Sequence, residues 1–156
     1  MNKLYDLLKE LNIPYTEVEH EAIYTVEEGK KIDRHIEGTS CKNLFLKDHK
    51  NNFFIVTLER DQEVKLNDLR KFLHVSNLHF AEENYLHDLL GVIKGSVTPL
   101  GIINDKDNKV TVVISNELVN KKILCHPLTN TKTINIEYND LIRLIEYLNH
   151  NYLIYK

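Results

Sequence analysis

The chain has 156 residues, of which 42% are hydrophobic and 28% are charged, and its formal net charge is −3. This length suits one domain, residues 1–156, that buries its core without disulfides or metals, and no apolar run is long enough for a membrane-spanning helix. The negative charge excludes binding of nucleic acid by bulk charge alone, although residues 41–80 carry more basic than acidic groups, which permits a local basic face.

The first half of the chain alternates helical and extended patterns. In chain order the pattern predicts a helix over residues 2–11, a short strand over 15–18, a second helix over 25–38 and a β-hairpin that pairs 43–47 with 53–58. Thr25 and Glu28 form a capping-box pattern at the start of the second helix, and Gly38 stops it. The first hairpin strand is apolar on both faces, which is typical of a central strand covered on both sides.

The second half of the chain predicts shorter elements. In chain order they are a helix over residues 67–73, a strand over 78–81, a helix over 82–90 and a second hairpin that pairs 100–103 with 110–114. Two strands follow over 123–125 and 133–136, and a final helix begins at residue 140. No linker, repeat or low-complexity block interrupts them. The sequence therefore predicts an α/β (α+β mixed) fold, with a mixed, largely antiparallel sheet wrapped by helices.

The cysteines and the start of the chain indicate a cytoplasmic protein without a metal. Cys41 and Cys125 stand far apart, and no CxxC or HExxH spacing occurs, so we expect neither a disulfide framework nor a metal site. No motif indicates a cofactor. The first residues lack the apolar stretch of a signal peptide.

Lys42 and Asn43 stand at the entrance of the first hairpin strand. A lysine that opens a buried strand loses hydration unless its ammonium meets an anion or water. This placement makes Lys42 a candidate for binding a ligand. The structural alternative is a lysine that snorkels at a strand end.

A glycine-containing loop before residue 100 is the second candidate. At Gly95 no Cβ stands in the way, so backbone N–H groups can approach a carbonyl oxygen or an oxyanion closely, as acyl transfer requires. Ser96, Val97, Thr98 and Pro99 complete the loop. A plain turn between two elements is the alternative.

The third candidate is His126, in the segment CHPLTNT. An imidazole there could act as a base or bind a ribose hydroxyl or a carbonyl, whereas the structural alternative is a ring that packs at a strand end. Cys125 and His126 do not form a nucleophile pair, since neighbours on a strand point to opposite faces.

Four motifs in this order, CKNLFLKD, a helix ending in LG, GSVTPLGIIND and HPLTNT, resemble the editing domains of the YbaK/ProRS-associated family, and most closely its ProX type. The resemblance covers roughly residues 20–150. It implies a caged α/β fold and metal-free hydrolysis of the ester between an amino acid and tRNA, with alanine on tRNA(Pro) as the substrate of the ProX type.

The resemblance also implies roles for residues of this chain. It makes Lys42 the principal functional residue, and it places Gly95, Ser96 and Val97 in the catalytic loop. As substrate-binding residues it implies Asn43, Thr98, Pro99 and His126, with Ser96 and Thr98 as candidates for the pocket lining. The implied partners are the acceptor end of tRNA(Pro) carrying a small aminoacyl group and, as a second candidate, prolyl-tRNA synthetase, with neither DNA nor a membrane.

Two alternatives stay open at this point. The same hydrolysis could act on cysteine or serine instead of alanine. The chain could also be a module that binds tRNA ends or a synthetase without turnover.

Overall fold

The computed structural model of the protein describes residues 2–156, without the side chains of residues 2 and 26. The helices are α1 Asn2–Glu10, α2 Val26–Asp33, α3 Leu66–Leu73, α4 Glu83–Tyr85 (continued by a π-helical turn, Leu86–Leu90) and α5 Tyr138–Tyr147, with 3₁₀ turns at Pro99–Asn104 and Asn116–Leu118. The strands are β1 Glu17–Glu19, β2 Cys41–Lys47, β3 Phe53–Glu59, β4 His79–Phe80, β5 Val110–Ser115, β6 Lys122–Cys125, β7 Lys132–Glu137 and β8 Tyr152–Tyr155. No helix within the described residues has the length and apolar character needed to cross a membrane.

The strands form two sheets. Five of them lie in the order β4-β2-β3-β5-β8, in which β2 pairs antiparallel with β3 and β4 while β5 pairs parallel with β3 and β8. The other three form an antiparallel sheet in the order β1-β7-β6. The predicted fold class, mixed α and β with a mixed sheet, is confirmed, with the strands divided between two sheets.

Apolar side chains cover both faces of the five-stranded sheet. Phe45 and Ile55 belong to a large core that also includes residues of α1 and α5, whereas Leu46 and Val56 belong to a smaller core beside Leu69 of α3. Successive residues of a strand point to opposite faces, so a strand covered on both sides needs consecutive apolar residues. This confirms the prediction that β2 is a covered central strand.

Two predicted elements need correction, and one strand was missed. Residues 100–103 do not form a hairpin with β5, because Pro99 and the Thr98 side chain, which accepts a hydrogen bond from the Leu100 N–H (3.3 Å), start a buried 3₁₀ turn there. The second helix ends at Asp33, several residues before Gly38. The final strand β8, which pairs with β5, was not predicted at all.

The buried carboxylate of Asp105 connects the 3₁₀ turn at Pro99–Asn104 to the start of β5 and to the segment that precedes β8. It accepts hydrogen bonds from the backbone N–H groups of Lys109 (3.1 Å) and Val110 (2.7 Å), and it lies 2.9 Å from Nε2 of the buried His150. Burial alone raises the pKa of the Asp105 carboxyl, but the hydrogen bonds from His150 and the two backbone groups outweigh it and hold the pKa below its ordinary value of 3.8.

Replacing Asp105 should destabilise the protein strongly. We expect Asp105→Ala to lower the free energy of unfolding by about 3–5 kcal/mol, because it leaves a buried imidazole and two backbone donors without their partner. The exposed Asp107 of the same turn provides the control, and Asp107→Ala should cost less than about 0.5 kcal/mol. Urea denaturation measures both changes, and equal losses would show that Asp105 has no special role.

The same carboxylate predicts how stability depends on pH. Because its pKa is lower in the folded protein, its contribution is fully present above pH 3.8 and is lost as the pH falls below that value. The wild-type protein should therefore lose stability over this range faster than the Asp105→Ala variant.

Candidate active site

A cavity of about 400 Å³ lies between the first residues of β2 and the last residues of β6. At this point the two sheets are joined by hydrogen bonds between Thr39 and the backbone of Lys122 and Leu124, beside the Thr39–Ile123 bridge. Residues of α2 and of the Gly95 loop complete the walls. The lining consists of Ile23, Tyr24, Thr25, Gly29, Asp33, Cys41, Lys42, Asn43, Arg60, Gly95, Val97, Leu124, Cys125, His126 and Thr133.

Asn43 is held in the cavity wall by the neighbouring strand. The hairpin register places it directly opposite Thr57 of β3, and the Thr57 hydroxyl donates a hydrogen bond to Asn43 Oδ1 (2.7 Å). Since the carbonyl oxygen of the amide is bound to Thr57, its NH₂ group is left as a donor, and within residues 2–156 it has no hydrogen-bond acceptor. Asn43 can therefore donate to a bound ligand.

Lys42 also lines the cavity, although it precedes Asn43 on the strand and its Cβ points to the other face. The register places it opposite Leu58, which belongs to the smaller core, so the lysine stem starts from that face. Among the described residues no carboxylate lies within 4 Å of its ammonium group. The position thus offers a cation for a ligand that carries negative charge.

The Gly95 loop is a tight turn beside the cavity. The Ser96 N–H donates to the carbonyl oxygen of Ile93 (3.0 Å), and Gly95 has φ +90°, a conformation that glycine adopts without strain. The turn therefore uses the Ser96 N–H internally. The N–H groups of Gly95 and Val97, both lining residues, have no acceptor within the described part of the chain and remain as donors for a ligand.

The loop residues after Gly95 do not all reach the cavity. Ser96, Thr98 and Pro99 are buried in the packing of the loop itself and are not part of the lining, with Thr98 capping the following 3₁₀ turn. This corrects the expectation that Ser96 and Thr98 line the pocket. Lys42, Asn43, Gly95, Val97 and His126 line one cavity, and the roles expected of them stay predictions.

His126 contributes an imidazole that stays neutral. Burial lowers its pKa below the ordinary value of 6.5, and this effect outweighs the opposing hydrogen bond between Nδ1 and the carbonyl oxygen of Lys132 (3.0 Å). A carbonyl oxygen can only accept, so Nδ1 carries the proton and Nε2 is the basic nitrogen. His126 is thus an acceptor for a hydroxyl or an ammonium group of a ligand.

Neither cysteine of the cavity is suited to nucleophilic attack. Burial raises the pKa of the Cys41 thiol to about 12 and raises that of Cys125 as well, so both are thiols at neutral pH, whereas the thiolate is the nucleophile. Cys125 and His126 line the same cavity despite being neighbours, because His126 lies just beyond the end of β6, where strand alternation no longer applies.

Sequence reasoning missed Arg60 and Asp33. Arg60 follows β3 directly, its N–H donates to the carbonyl oxygen of Ser40 (2.9 Å), and its guanidinium forms an ion pair with Asp33 of α2 (2.8 Å). The predicted hairpin contained a signal, since its register places Arg60 beside the start of β2. Asp33 gave no such signal, because only the tertiary structure brings α2 to that strand end.

Comparison with known proteins decides the family. The family model of the aminoacyl-tRNA editing domain matches residues 20–144. The chain belongs to the aminoacyl-tRNA editing domain family. This confirms the resemblance inferred from the four motifs, and with it the predicted enzyme class, an aminoacyl-tRNA hydrolase.

Relatives of this editing domain have names that refer to prolyl-tRNA. The chain is 40% identical over 151 residues to prolyl-tRNA synthetase associated domain-containing protein 1 of Danio rerio, and the match covers 95% of this chain and 82% of that protein. It is 37% identical over 141 residues to the prolyl-tRNA editing protein ProX of Acetoanaerobium sticklandii, covering 89% and 86%. A crystal structure described as a candidate trans-editing enzyme for prolyl-tRNA synthetase shares its fold, with a TM-score of 0.71 and 13% identity over 97% of this chain and 92% of the other.

An NMR titration of the editing domain should show that the pKa of the His126 imidazole is lowered. We expect its imidazole to titrate below pH 6.5, because burial disfavours the charged form, and the His126→Gln variant assigns the signal by removing it. The unfolded state then binds more protons below pH 6.5, so the free energy of unfolding should rise with pH over that window, and less so in the variant. A pKa above 6.5 would show that an anion or a carbonyl stabilises the imidazolium.

Proposed function

We propose that this editing domain hydrolyses the ester bond between tRNA(Pro) and a mischarged alanine, without a metal and without a covalent intermediate. The observation that carries the proposal is the convergence of Lys42, Asn43, the Gly95 turn and His126 on one cavity. The choice of tRNA is supported by the ProX relative, which is named a prolyl-tRNA editing protein. The relatives named for their association with prolyl-tRNA synthetase support that enzyme as a second partner.

The reaction needs a positioned water and an oxyanion site. An aminoacyl ester is already activated, so water can attack the carbonyl carbon if the developing oxyanion is stabilised. The N–H groups of Gly95 and Val97 and the amide of Asn43 are the donors available for this oxyanion. The raised pKa values of the two thiols support direct attack by water over a cysteine intermediate.

Lys42 and His126 act on the nucleotide. The Lys42 ammonium pairs with the phosphate of the terminal adenosine, a charge-assisted interaction worth roughly 1.5–3 kcal/mol. The neutral His126 accepts a hydrogen bond from a ribose hydroxyl through Nε2. The free 2′-hydroxyl then orients the water, and Lys42 need not be deprotonated to take part.

Selectivity comes from the size of the acyl pocket. Ile23, Val97 and Leu124 form an apolar part of the cavity wall, where a methyl side chain packs well. A pocket excludes a larger side chain better than a smaller one, so prolyl-tRNA should escape hydrolysis. Serine and cysteine are close to alanine in size and remain the alternative substrates.

An acyl panel tests the function directly. In single-turnover reactions with tRNA(Pro) carrying alanine, serine, cysteine or proline, we expect alanine to be released fastest and proline to be retained. A strong chelator should leave these rates unchanged, because the mechanism uses no metal. Lys42→Ala serves as the control against a contaminating hydrolase, and it should lower the alanine rate by about 10- to 100-fold.

Three outcomes would contradict the assignment. If serine or cysteine is released faster than alanine, that amino acid and not alanine is the substrate. Release of proline at the same rate as alanine would show that the pocket does not select by size, and no release from any of the four esters would contradict the proposed substrate altogether.

A matched pair of glycine variants tests the oxyanion turn. Gly95→Ala forces a side chain into φ +90° and should displace a backbone donor, lowering kcat by about 10²–10³-fold, the usual effect of removing one oxyanion-hole donor. Gly29→Ala adds the same methyl group to the wall of the same cavity from α2, where its Cβ would lie 3.7 Å from Ile23. It reports the effect of crowding alone, and we expect a much smaller decrease. Equal decreases would remove the turn from the oxyanion site.

A further inference from the structure

A second, smaller cleft adjoins the proposed active site. It measures about 230 Å³ and is lined by Lys30, Asp33, Arg34, Ser40 and Arg60. Asp33 and Arg60 also line the larger cavity, so the two spaces share a wall. A polymer whose end occupies the larger cavity therefore passes close to the cleft, on the other side of the Asp33–Arg60 pair.

The charges of the cleft do not cancel. Among the described lining residues the carboxylate is that of Asp33, which is paired with Arg60 at 2.8 Å and also accepts a hydrogen bond from the Ser40 hydroxyl. Lys30 and Arg34, one helical turn apart at the end of α2, have no carboxylate within 4 Å among the described residues. Two cations therefore remain available in a protein whose net charge is −3.

Arg60 adds a donor that the ion pair does not satisfy. Its Nε is buried and has no hydrogen-bond partner in the part of the chain that the structure describes, and a buried N–H without an acceptor costs free energy. The fork of a guanidinium fits phosphate oxygens well. An anion is therefore the ligand that the charges of Lys30 and Arg34 favour, with the Arg60 guanidinium in the same wall.

We propose that this cleft binds a phosphodiester of the single-stranded 3′ end of tRNA, one nucleotide before the phosphate assigned to Lys42. The inference rests on the proposed function, because the position of the ester in the larger cavity determines which part of the RNA reaches the cleft. The alternative for Lys30 and Arg34 is that they only stabilise the C-terminal end of α2, where cations are favoured.

Short oligonucleotides that carry no amino acid separate these two roles. CpA carries one phosphodiester and CpCpA carries two, so the ratio of their dissociation constants isolates the second phosphate. In the wild-type protein we expect CpCpA to bind about 10-fold or more tightly than CpA, as for a charge-assisted hydrogen bond. The Lys30→Ala/Arg34→Ala variant should bring this ratio close to one. The slope of log K against log[salt] for CpCpA should also become shallower, by about 0.7 for each phosphate that the variant no longer neutralises.

The matched control removes the same charge elsewhere. Lys71→Ala/Lys106→Ala changes two exposed lysines outside both cavities and should leave the ratio as in the wild type. Circular dichroism checks folding, and the single variants Lys30→Ala and Arg34→Ala replace the double variant if it unfolds. A ratio that stays at the wild-type value in the cleft variants, including the case in which both oligonucleotides weaken equally, would overturn the proposal.

This experiment is independent of the activity assay. If the wild-type protein releases no amino acid in the acyl panel, but the cleft variants bring the ratio close to one, the proposal of a phosphate cleft stands and the proposed function is wrong. If the wild-type protein releases alanine, but the cleft variants keep the wild-type ratio of the two dissociation constants, the proposed function stands and the proposal of a phosphate cleft is wrong.

Discussion

The close approach of two backbones at Gly38 and Thr39 determines how the molecule is built. Thr39 donates to the Lys122 carbonyl oxygen (2.7 Å) and accepts from the Leu124 N–H (3.0 Å), which joins the chain entering β2 to β6. Gly38 permits this approach, since a Cβ there would lie 2.6 Å from a methyl group of Leu124 and its φ is +148°. Beyond the bridge the two sheets separate, and the cavity occupies the space between them.

This junction explains why residues that are distant in sequence meet in one site. β2 contributes Lys42 and Asn43 directly after the junction, and β6 ends next to His126 on the opposite wall. The Gly95 turn and α2 then close the space. A change that separated the sheets would therefore disturb the cation, the amide donor and the imidazole together, without altering any of them chemically.

The site combines groups held neutral by burial with cations that have no carboxylate partner among the described residues. Burial keeps both thiols protonated and the imidazole uncharged, so the cavity contains acceptors and donors and lacks a strong nucleophile within the described part of the chain. Lys42, Lys30 and Arg34 supply positive charge in the cavity and the cleft. Such a division suits a substrate with a polyanionic chain and a neutral, already activated ester at its end, for which positioning and oxyanion stabilisation are enough.

The parts of the fold with local signals could be predicted from the sequence. Consecutive apolar residues identified the β2–β3 hairpin, and with it the position of Lys42 and Asn43. The apolar stretch that begins at Leu100 led to the wrong prediction of a strand, because a buried 3₁₀ turn and a buried strand need similar residues. Thr98, which caps the turn, and Pro99 decide between the two structures. Burial of Ser96 and the pairing of Arg60 with Asp33 depend on tertiary contacts, which no local pattern encodes.

The central claim is that the ester carbonyl lies between the Gly95 turn and β2. A crystal structure with 3′-alanylamino-3′-deoxyadenosine, in which an amide replaces the ester and resists hydrolysis, tests it most directly. We predict that its carbonyl oxygen lies about 3 Å from the N–H groups of Gly95 and Val97 or from the Asn43 amide, with the ribose within reach of His126 Nε2. A carbonyl oxygen directed away from all these donors, or an analogue bound outside the cavity, would contradict the account.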